Sequence, residues 1–160
     1  VVLVRSFITT PVIVRGESMD NTLENGQVLL LSKISYKIHD IKRFDIIVIK
    51  DTDGDLIIKR VIGLPGDNVE YRDNKLYINQ KEVKDNYGNG LTDDFTLDDI
   101  CKIDNTDCQG KIPKGKYLAL GDNREVSADS RVKGLFTEKQ ILGKTTLRLW
   151  PLNKIHIISK

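Results

Sequence analysis

Histidine is almost absent from this chain: the sequence has two, His39 and His156, and neither stands in a recognisable catalytic motif. The pattern H-E-x-x-H does not occur, which argues against a zinc protease of that type. The pattern G-x-S-x-G is also missing, which argues against an α/β-hydrolase, because those enzymes carry their nucleophilic serine in that motif. We therefore interpret both histidines as surface residues, and a serine nucleophile here needs a different base.

Cysteine is equally scarce, with only Cys101 and Cys108, which stand in a polar stretch. A zinc site is not expected there, because no histidine lies nearby to complete a ligand set. If oxidised, the two would close a short loop, contribute about 2–3 kcal/mol and imply an oxidising compartment. Two free thiols are the alternative, and the sequence leaves both open.

Long apolar runs and a strong net charge are missing too. No stretch of about 20 apolar residues occurs, so no spanning helix is predicted. The net charge of +2 argues neither for nor against a nucleic-acid or anionic-membrane partner. The chain starts on VVLVRSFITTPVIV, and we expect it to begin near the end of a membrane anchor. The alternative is a plain first strand in which Val12 and Val14 alternate inward.

Most of the sequence is typical of short strands that are rich in β-branched residues and bounded by polar clusters. These segments are QVLLLSKISY, FDIIVIK, DLIIKRVIG, NVEYRDNKLYINQKEV, KYLALGD and KTTLRLWPL. A helix is predicted only for TEKQILG, where Thr137 caps it, Gln140 completes a capping box and Gly143 ends it.

This pattern predicts a mostly β fold, a barrel-like or coiled sheet with a small inserted lobe. Residues 84–110 are polar and poor in periodicity, and we expect them to form the lobe. Residues 1–83 and 111–160 would then be the two parts of the main β domain.

Ser18 stands between a glutamate and the only methionine of the chain, in the stretch RGESMDNTL. Lysine is the candidate base for it, because the strand DLIIKRVIG is apolar on both faces and carries Lys59 and Arg60 in opposite directions. Burial without a carboxylate partner lowers the pKa of a lysine and leaves a neutral amine that can act as a base. The alternative is a strand-end lysine that extends to solvent.

The window LGDNREVSADSRVKG places small hydroxyls between acidic and basic residues. Such residues can form a hydrogen-bond network that holds a neutral amine in place. Asp129 and Arg131 can pair locally, and Asp122 can be the anion that a buried Arg60 requires, since arginine cannot lose its proton. A charged, solvated loop is the alternative.

Three of these stretches, GESMDNTL, IIKRVIGLPGD and LGDNREVSADSR, resemble in order the signature motifs of type I signal peptidases. RFDIIVIK is similar to a further motif that reads R-G-D-I-V-V-F. With KYLALGD and RLWP the resemblance covers nearly the whole chain. Each motif alone is weak, whereas the combination is highly specific. The small middle region and the G-E-S-M form resemble the shorter Gram-positive type.

The resemblance implies a β-rich serine protease with a Ser–Lys dyad, held by a single anchor on the outer face of the bacterial cytoplasmic membrane. Such enzymes cut signal peptides from exported preproteins after small residues at positions −1 and −3. No cofactor, metal or nucleic acid is implied. By position, Ser18 is the nucleophile, with its backbone N–H serving the oxyanion, and Lys59 is the general base. The supporting residues are Ser127, which orients the amine, the pairs Asp129–Arg131 and Asp122–Arg60, and Met19 beside the substrate pocket.

Two positions depart from the family pattern. Asn21 stands where the family usually has proline, and we expect it to permit the same turn less firmly. Gly16 stands where some members have a serine that donates to the oxyanion, so backbone donors must replace that hydroxyl.

Two alternatives share parts of this pattern. Self-cleaving Ser–Lys repressors use the same dyad, but they would carry a DNA-binding helix-turn-helix, of which the sequence has no sign. A specialised factor for pilin processing, or a non-catalytic one for pilus assembly, is the other. A non-catalytic member is expected to lack the serine or the lysine, and this chain has both Ser18 and Lys59.

Overall fold

The computed structural model describes residues 9–33 and 41–158. Within these ranges the chain is mostly β, which confirms the predicted fold class. The strands are β1 (Thr9–Ile13), β2 (Val28–Ser32), β3 (Ile46–Lys50), β4 (Leu56–Gly63), β5 (Val69–Arg72), β6 (Lys75–Ile78), β7 (Lys81–Val83), β8 (Phe95–Thr96), β9 (Lys116–Leu120), β10 (Phe136–Thr137), β11 (Ile141–Trp150) and β12 (His156–Ile157). The described helices are α1 (Leu97–Ile103) and α2 (Ser130–Lys133), with 3-10 turns at Glu138–Gln140 and Leu152–Lys154.

The larger sheet has the strand order β1-β2-β11-β3-β4-β9-β10, with β12 paired to β11, and it curls into a half-barrel. Every pairing within it is antiparallel. β4 lies between β3 and β9, and its residues from Ile58 to Gly63 are buried. A strand buried on both faces is apolar on both faces, which explains why the sequence DLIIKRVIG does not alternate.

The smaller sheet has the order β7-β6-β5-β8. Its apolar face forms one core with Ile62 of β4 and with Leu118 and Leu120 of β9, so the two sheets pack together. Its strands come from both sides of residue 84. The boundaries of an inserted lobe at residues 84 and 110 therefore stay a prediction.

The helix predicted for TEKQILG is wrong in its extent. Thr137 and Gln140 do form the capping box, but only one 3-10 turn follows, and β11 begins at Ile141. Ile141 pairs with Ile49 of β3, so the sheet takes the residues that the local pattern assigned to a helix. Gly143 lies within β11, where an added Cβ would come within 2.1 Å of the Ser32 carbonyl oxygen.

Cys101 and Cys108 form a disulfide, and both are buried. The bond ties α1 to the turn that follows it. Among the described residues, none of the helices has the length and apolar character needed to cross a membrane. The expectations for His39 and for the side chain of His156 lie outside the described residues. Of the stretch VVLVRSFITTPVIV, residues 1–8 also lie outside them, while Thr9–Ile13 form β1 and both Val12 and Val14 are buried, as the strand alternative predicts.

Candidate active site

The structure brings Ser18 and Lys59 together although 41 positions separate them. The distance between Ser18 Oγ and Lys59 Nζ is 2.8 Å, which is a hydrogen-bond distance. Ser18 lies in a turn after β1, and Lys59 projects from the middle of β4. Its cross-strand neighbour on β3 is Ile47, which is fully buried.

Burial lowers the pKa of Lys59 from the ordinary 10.5 to about 8. The residue is 3% exposed, and leaving water disfavours the ammonium form. Asp129 and Asp122 favour a charged amine, whereas Lys133 and Arg131 add to the lowering. With this pKa, about a tenth of the molecules carry a neutral amine at pH 7.

Arg60 projects from the opposite face of β4 and is paired with Asp122. Its Nε and Nη2 atoms donate to the two carboxylate oxygens of Asp122 at 2.8 and 2.7 Å, and Nη1 donates to the Phe44 carbonyl. Arg60 is 1% exposed and Asp122 is fully buried. Thr22 also donates to Asp122, at 2.6 Å, which links this pair to the turn that carries Ser18.

The turn after Ser18 differs from the expectation for Asn21. Asn21 has φ of 71°, a left-handed conformation that asparagine tolerates and proline, fixed near −65°, cannot adopt. The turn is closed by bonds from the Thr22 and Leu23 N–H groups to the Met19 carbonyl, at 3.0 and 2.8 Å. Asn21 is therefore not a looser version of proline here; it permits a different turn.

Gly16 also has a left-handed backbone, with φ of 83°, which disfavours residues with a side chain. Its N–H donates to Asn25 Oδ1 at 3.1 Å. The Ser18 N–H donates to no acceptor among the described residues, and its role as an oxyanion donor stays a prediction. These observations agree with backbone donors in place of a side chain at position 16.

Asp129 is the central anion of the 121–131 loop. It is fully buried, and it accepts from Arg131 Nη2 at 2.8 Å and from the Gly121 N–H at 2.9 Å. Burial acts to raise the pKa of Asp129, but Arg131 and the Gly121 N–H outweigh it, and the net pKa is lowered. Asp129 also caps α2 through the Arg131 N–H.

Ser127 lies close to the site, but it forms no hydrogen bond with the lysine amine. Its buried hydroxyl faces Asp129 and helps to lower the pKa of that carboxyl, although its orientation meets the strict geometry of a hydrogen bond with no described residue. An added Cβ on Gly121 would lie 2.1 Å from Ser127 Oγ and 2.4 Å from the Ser18 carbonyl oxygen. Glycine at 121 therefore permits this close approach, while the orienting role of Ser127 stays a prediction.

A groove of about 600 Å³ opens beside Ser18 and Lys59. Its walls include Ile57, Val126 and Ala128, three small or apolar side chains. Met19 is 1% exposed and packs into the core with Val14, Leu23 and Leu29, so it does not line the groove. A role for Met19 beside the substrate stays a prediction.

Arg124 organises a network that was not anticipated from the sequence. It is 3% exposed and donates to the Gly121 carbonyl at 3.0 Å, to Tyr71 at 2.7 Å and to Asp85 at 2.6 Å. Burial acts against the charged forms, yet the partners hold the pKa of Asp85 low and that of Arg124 high. The window 121–131 contained Arg124, but nothing in the sequence identified Asp85, which lies 39 positions away.

The loop after β9 also contacts the turn that carries Ser18. Asn123 donates from its N–H to the Ser18 carbonyl at 3.0 Å and from Nδ2 to the Glu17 carbonyl at 3.1 Å. Arg124 and Asn123 thus connect the smaller sheet to Ser18. A serine hydroxyl beside a buried, partly neutral lysine is the arrangement of serine hydrolases that use lysine in place of histidine.

Comparisons with known proteins agree with this class. The family described as "Signal peptidase, peptidase S26" matches residues 1–150. "Signal peptidase IB" of Staphylococcus aureus (strain Mu50 / ATCC 700699) is 41% identical over 161 residues, covering 95% of this chain and 83% of that protein. "Signal peptidase I" of Bacillus caldolyticus is 39% identical over 163 residues, covering 96% of this chain and 86% of that protein.

A solved structure is also similar. The crystal structure of a signal peptidase I from Enterococcus faecalis V583 aligns with a TM-score of 0.57 at 38% sequence identity, covering 66% of this chain and 96% of that one. The chain belongs to the signal peptidase family, peptidase S26.

Proposed function

We propose that this chain is a serine endopeptidase that removes signal peptides from exported preproteins, with Ser18 as nucleophile and Lys59 as general base. The observation that carries the proposal is the 2.8 Å separation between the Ser18 hydroxyl and a lysine amine that is 3% exposed. Family membership supplies the substrate class, because the relatives it matches are named signal peptidases.

The reaction is acyl transfer in two steps. Neutral Lys59 takes the hydroxyl proton of Ser18 while Ser18 Oγ attacks the scissile carbonyl carbon. The Ser18 N–H stabilises the resulting oxyanion. The carbon–nitrogen bond then breaks, and the Lys59 ammonium gives its proton to the leaving amine of the mature protein. Water, deprotonated by Lys59, hydrolyses the ester and returns the serine.

The carboxylates of Asp129 and Asp122 do not form an ion pair with the Lys59 amine. Asp129 is bound by Arg131 and Asp122 by Arg60, so each carboxylate nearest the amine already has a cation. Each pair orients its own loop or strand and leaves the lysine amine to Ser18. A direct carboxylate contact would hold Lys59 as ammonium and remove the base.

The substrate binds in an extended form. Among the described residues, β1 is an edge strand of the larger sheet and leads into the Ser18 turn, so its outer edge can pair with the backbone of a peptide. Small residues at positions −1 and −3 fit a groove bounded by Ile57, Val126 and Ala128, where a larger side chain would clash. A single anchor on the outer face of the cytoplasmic membrane would bring the groove to its preproteins.

A non-catalytic factor for pilus assembly is not favoured, because the chain has both reactive groups at hydrogen-bond distance. Cleavage of pilin precursors is one case of the same chemistry. A pilin precursor and a general preprotein compared in one assay would distinguish the two roles.

The test is cleavage of a preprotein with alanine at −1 and −3 by the purified chain, read by mass spectrometry of the new N-terminus. Ser18→Ala and Lys59→Ala should each lose cleavage by at least about a thousandfold. Ser32→Ala and Lys116→Ala are matched controls away from the groove and should retain it. Full turnover by Lys59→Ala, or cleavage at an unrelated bond, would contradict the proposal.

A further inference from the structure

An ion pair at the rim of the groove joins two elements that are far apart in the sequence. Lys133, at the end of α2, donates from Nζ to Asp51 Oδ2 across 82 positions. Asp51 follows β3 directly and opens the turn that leads to β4. Both residues line the same groove as Ser18 and Lys59. The pair lies outside the motifs that identify the family.

Each partner of this pair is held rigidly by its own element. The turn is closed by a bond from the Asp51 N–H to the Asp55 carbonyl at 2.8 Å, and the Thr52 N–H donates to Asp51 Oδ1 at 2.8 Å. On the other side, the Lys133 N–H donates to the Asp129 carbonyl at 2.8 Å. The backbone on both sides is therefore fixed, and the bond to Asp51 holds the ammonium group at the rim of the groove.

Both partners stay charged near neutral pH. The hydrogen bond to Asp51 is the largest cause of a raised pKa for Lys133. Burial acts to raise the pKa of Asp51, but its bonds to Lys133 and Thr52 outweigh this and lower it. Lys133 thus stays positively charged at the rim of the groove, and the Asp51 carboxylate offsets part of that charge.

Four charged residues act on Lys59 from the elements packed against it. Asp129 and Asp122 attract its ammonium form, while Lys133 and Arg131 repel it. Arg131, in α2, is engaged by Asp129, which caps that helix. The other charged residues that line the groove are Arg15, Glu17, Asp53 and Asp55.

We propose that Lys133 is a positioning residue for the reaction: held by Asp51 across the rim of the groove, it places a fixed positive charge beside Lys59 and helps to keep that amine neutral. The same contact holds α2 against the turn before β4, so the walls on both sides of Lys59 move together. The inference rests on the proposed function, since it concerns the base of that reaction.

The test is the pH profile of kcat/KM on a short signal-peptide substrate for Lys133→Gln and Lys133→Arg. Lys133→Gln should move the midpoint of the rising limb upward by about half a pH unit, the scale of one partly solvated charge near a buried base. Activity should then fall about threefold below the midpoint and return to the wild-type level well above it. Lys133→Arg keeps the charge and should keep the wild-type midpoint.

Lys116→Gln is the matched control, because Lys116 has the same kind of ion pair, with Asp104, and a similar exposed fraction, 26% against 27% for Lys133. A purely structural role for Lys133 predicts a lower Tm and an equal loss of activity at every pH. That result, or an equal shift in Lys116→Gln, overturns the inference.

A direct titration of the Lys59 amine by NMR, in a Ser18→Ala background, supplies the midpoint without activity. A wild-type amine that titrates at the ordinary lysine value would overturn the proposed function itself. A wild-type amine with a lowered midpoint that Lys133→Gln leaves unmoved would overturn only the role of Lys133.

Discussion

Replacing Lys59 by methionine should abolish cleavage and yet stabilise the fold near neutral pH. Burial lowers the pKa of Lys59 from 10.5 to about 8, and this difference corresponds to about 3 kcal/mol that the buried ammonium costs below pH 8. Methionine fills a similar volume without a charge. Loss of the hydrogen bond to Ser18 costs about 1 kcal/mol. The net gain of about 2 kcal/mol should raise Tm by about 4–8 °C at this chain length.

The pH dependence separates this effect from a simple gain in packing. Between about pH 8 and 10.5 the folded wild type releases the Lys59 proton while the unfolded chain keeps it, so the stability of the wild type rises with pH in this window. The Lys59→Met variant lacks this rise. Its advantage should therefore shrink by about 2–3 kcal/mol between pH 7 and pH 10.

The assay is urea unfolding followed by circular dichroism at both pH values, with the disulfide intact. Lys116→Met is the control, since Lys116 is partly exposed and paired with Asp104, and it should lose a little stability at both pH values. An advantage of Lys59→Met that is equal at pH 7 and pH 10, or a variant less stable than the wild type at pH 7, would refute the reasoning. Either result would mean that the lysine amine is hydrated in the folded protein.

Three further substitutions test the supporting geometry. Asn21→Pro should lose most activity and about 3 kcal/mol of stability, because proline cannot adopt the φ of 71° found there; Asn21→Gly, which can, should stay active in the same peptide assay. Gly121→Ala should lower kcat by about 100-fold or more, which is the usual effect of displacing groups in an active site by about 1 Å. The displacement is expected because the added carbon would overlap Ser127 Oγ; an unchanged kcat would contradict the close approach. Arg124→Met should lower the free energy of unfolding by about 3–5 kcal/mol, because it leaves Asp85 buried without its cation, and pairing it with Asp85→Asn should recover part of that loss.

The proximity of Ser18 and Lys59 could be predicted in part because some of its signals are local. Lys59 stands among aliphatic residues on a strand with no polar face, and that pattern allows either a buried amine or a strand-end lysine that extends to solvent. Arg60 follows it directly, and alternation along a strand sends the two side chains to opposite faces. The motifs then supplied the serine and Asp122, which the structure places at hydrogen-bond distance from Lys59 and Arg60.

The remaining features depend on contacts that no local pattern encodes. Lys133 and Asp51 meet across 82 positions, and neither stands in a motif. The backbone of Asn21 is set by the turn that it closes, whereas the resemblance suggested the shape of a proline turn. The segment TEKQILG has the capping residues of a helix, but Ile141 pairs with β3, so the helix is limited to one 3-10 turn. The capping box of α1, Thr96 with Asp99, lies in a stretch so polar that the apolar periodicity of the sequence does not predict a helix there.

The opposite orientations of Lys59 and Arg60 make the register of β4 a condition of the proposed catalysis as well as of folding. A slip by one residue would exchange the two cations. A guanidinium that never gives up its proton would then face the serine, and the amine would sit against a carboxylate. Such a molecule could be compact and still inert. Two features select against that misaligned form. One is the register shift between Val61 and Gly63 in the pairing of β4 with β9, and the other is the bidentate ion pair between Arg60 and Asp122.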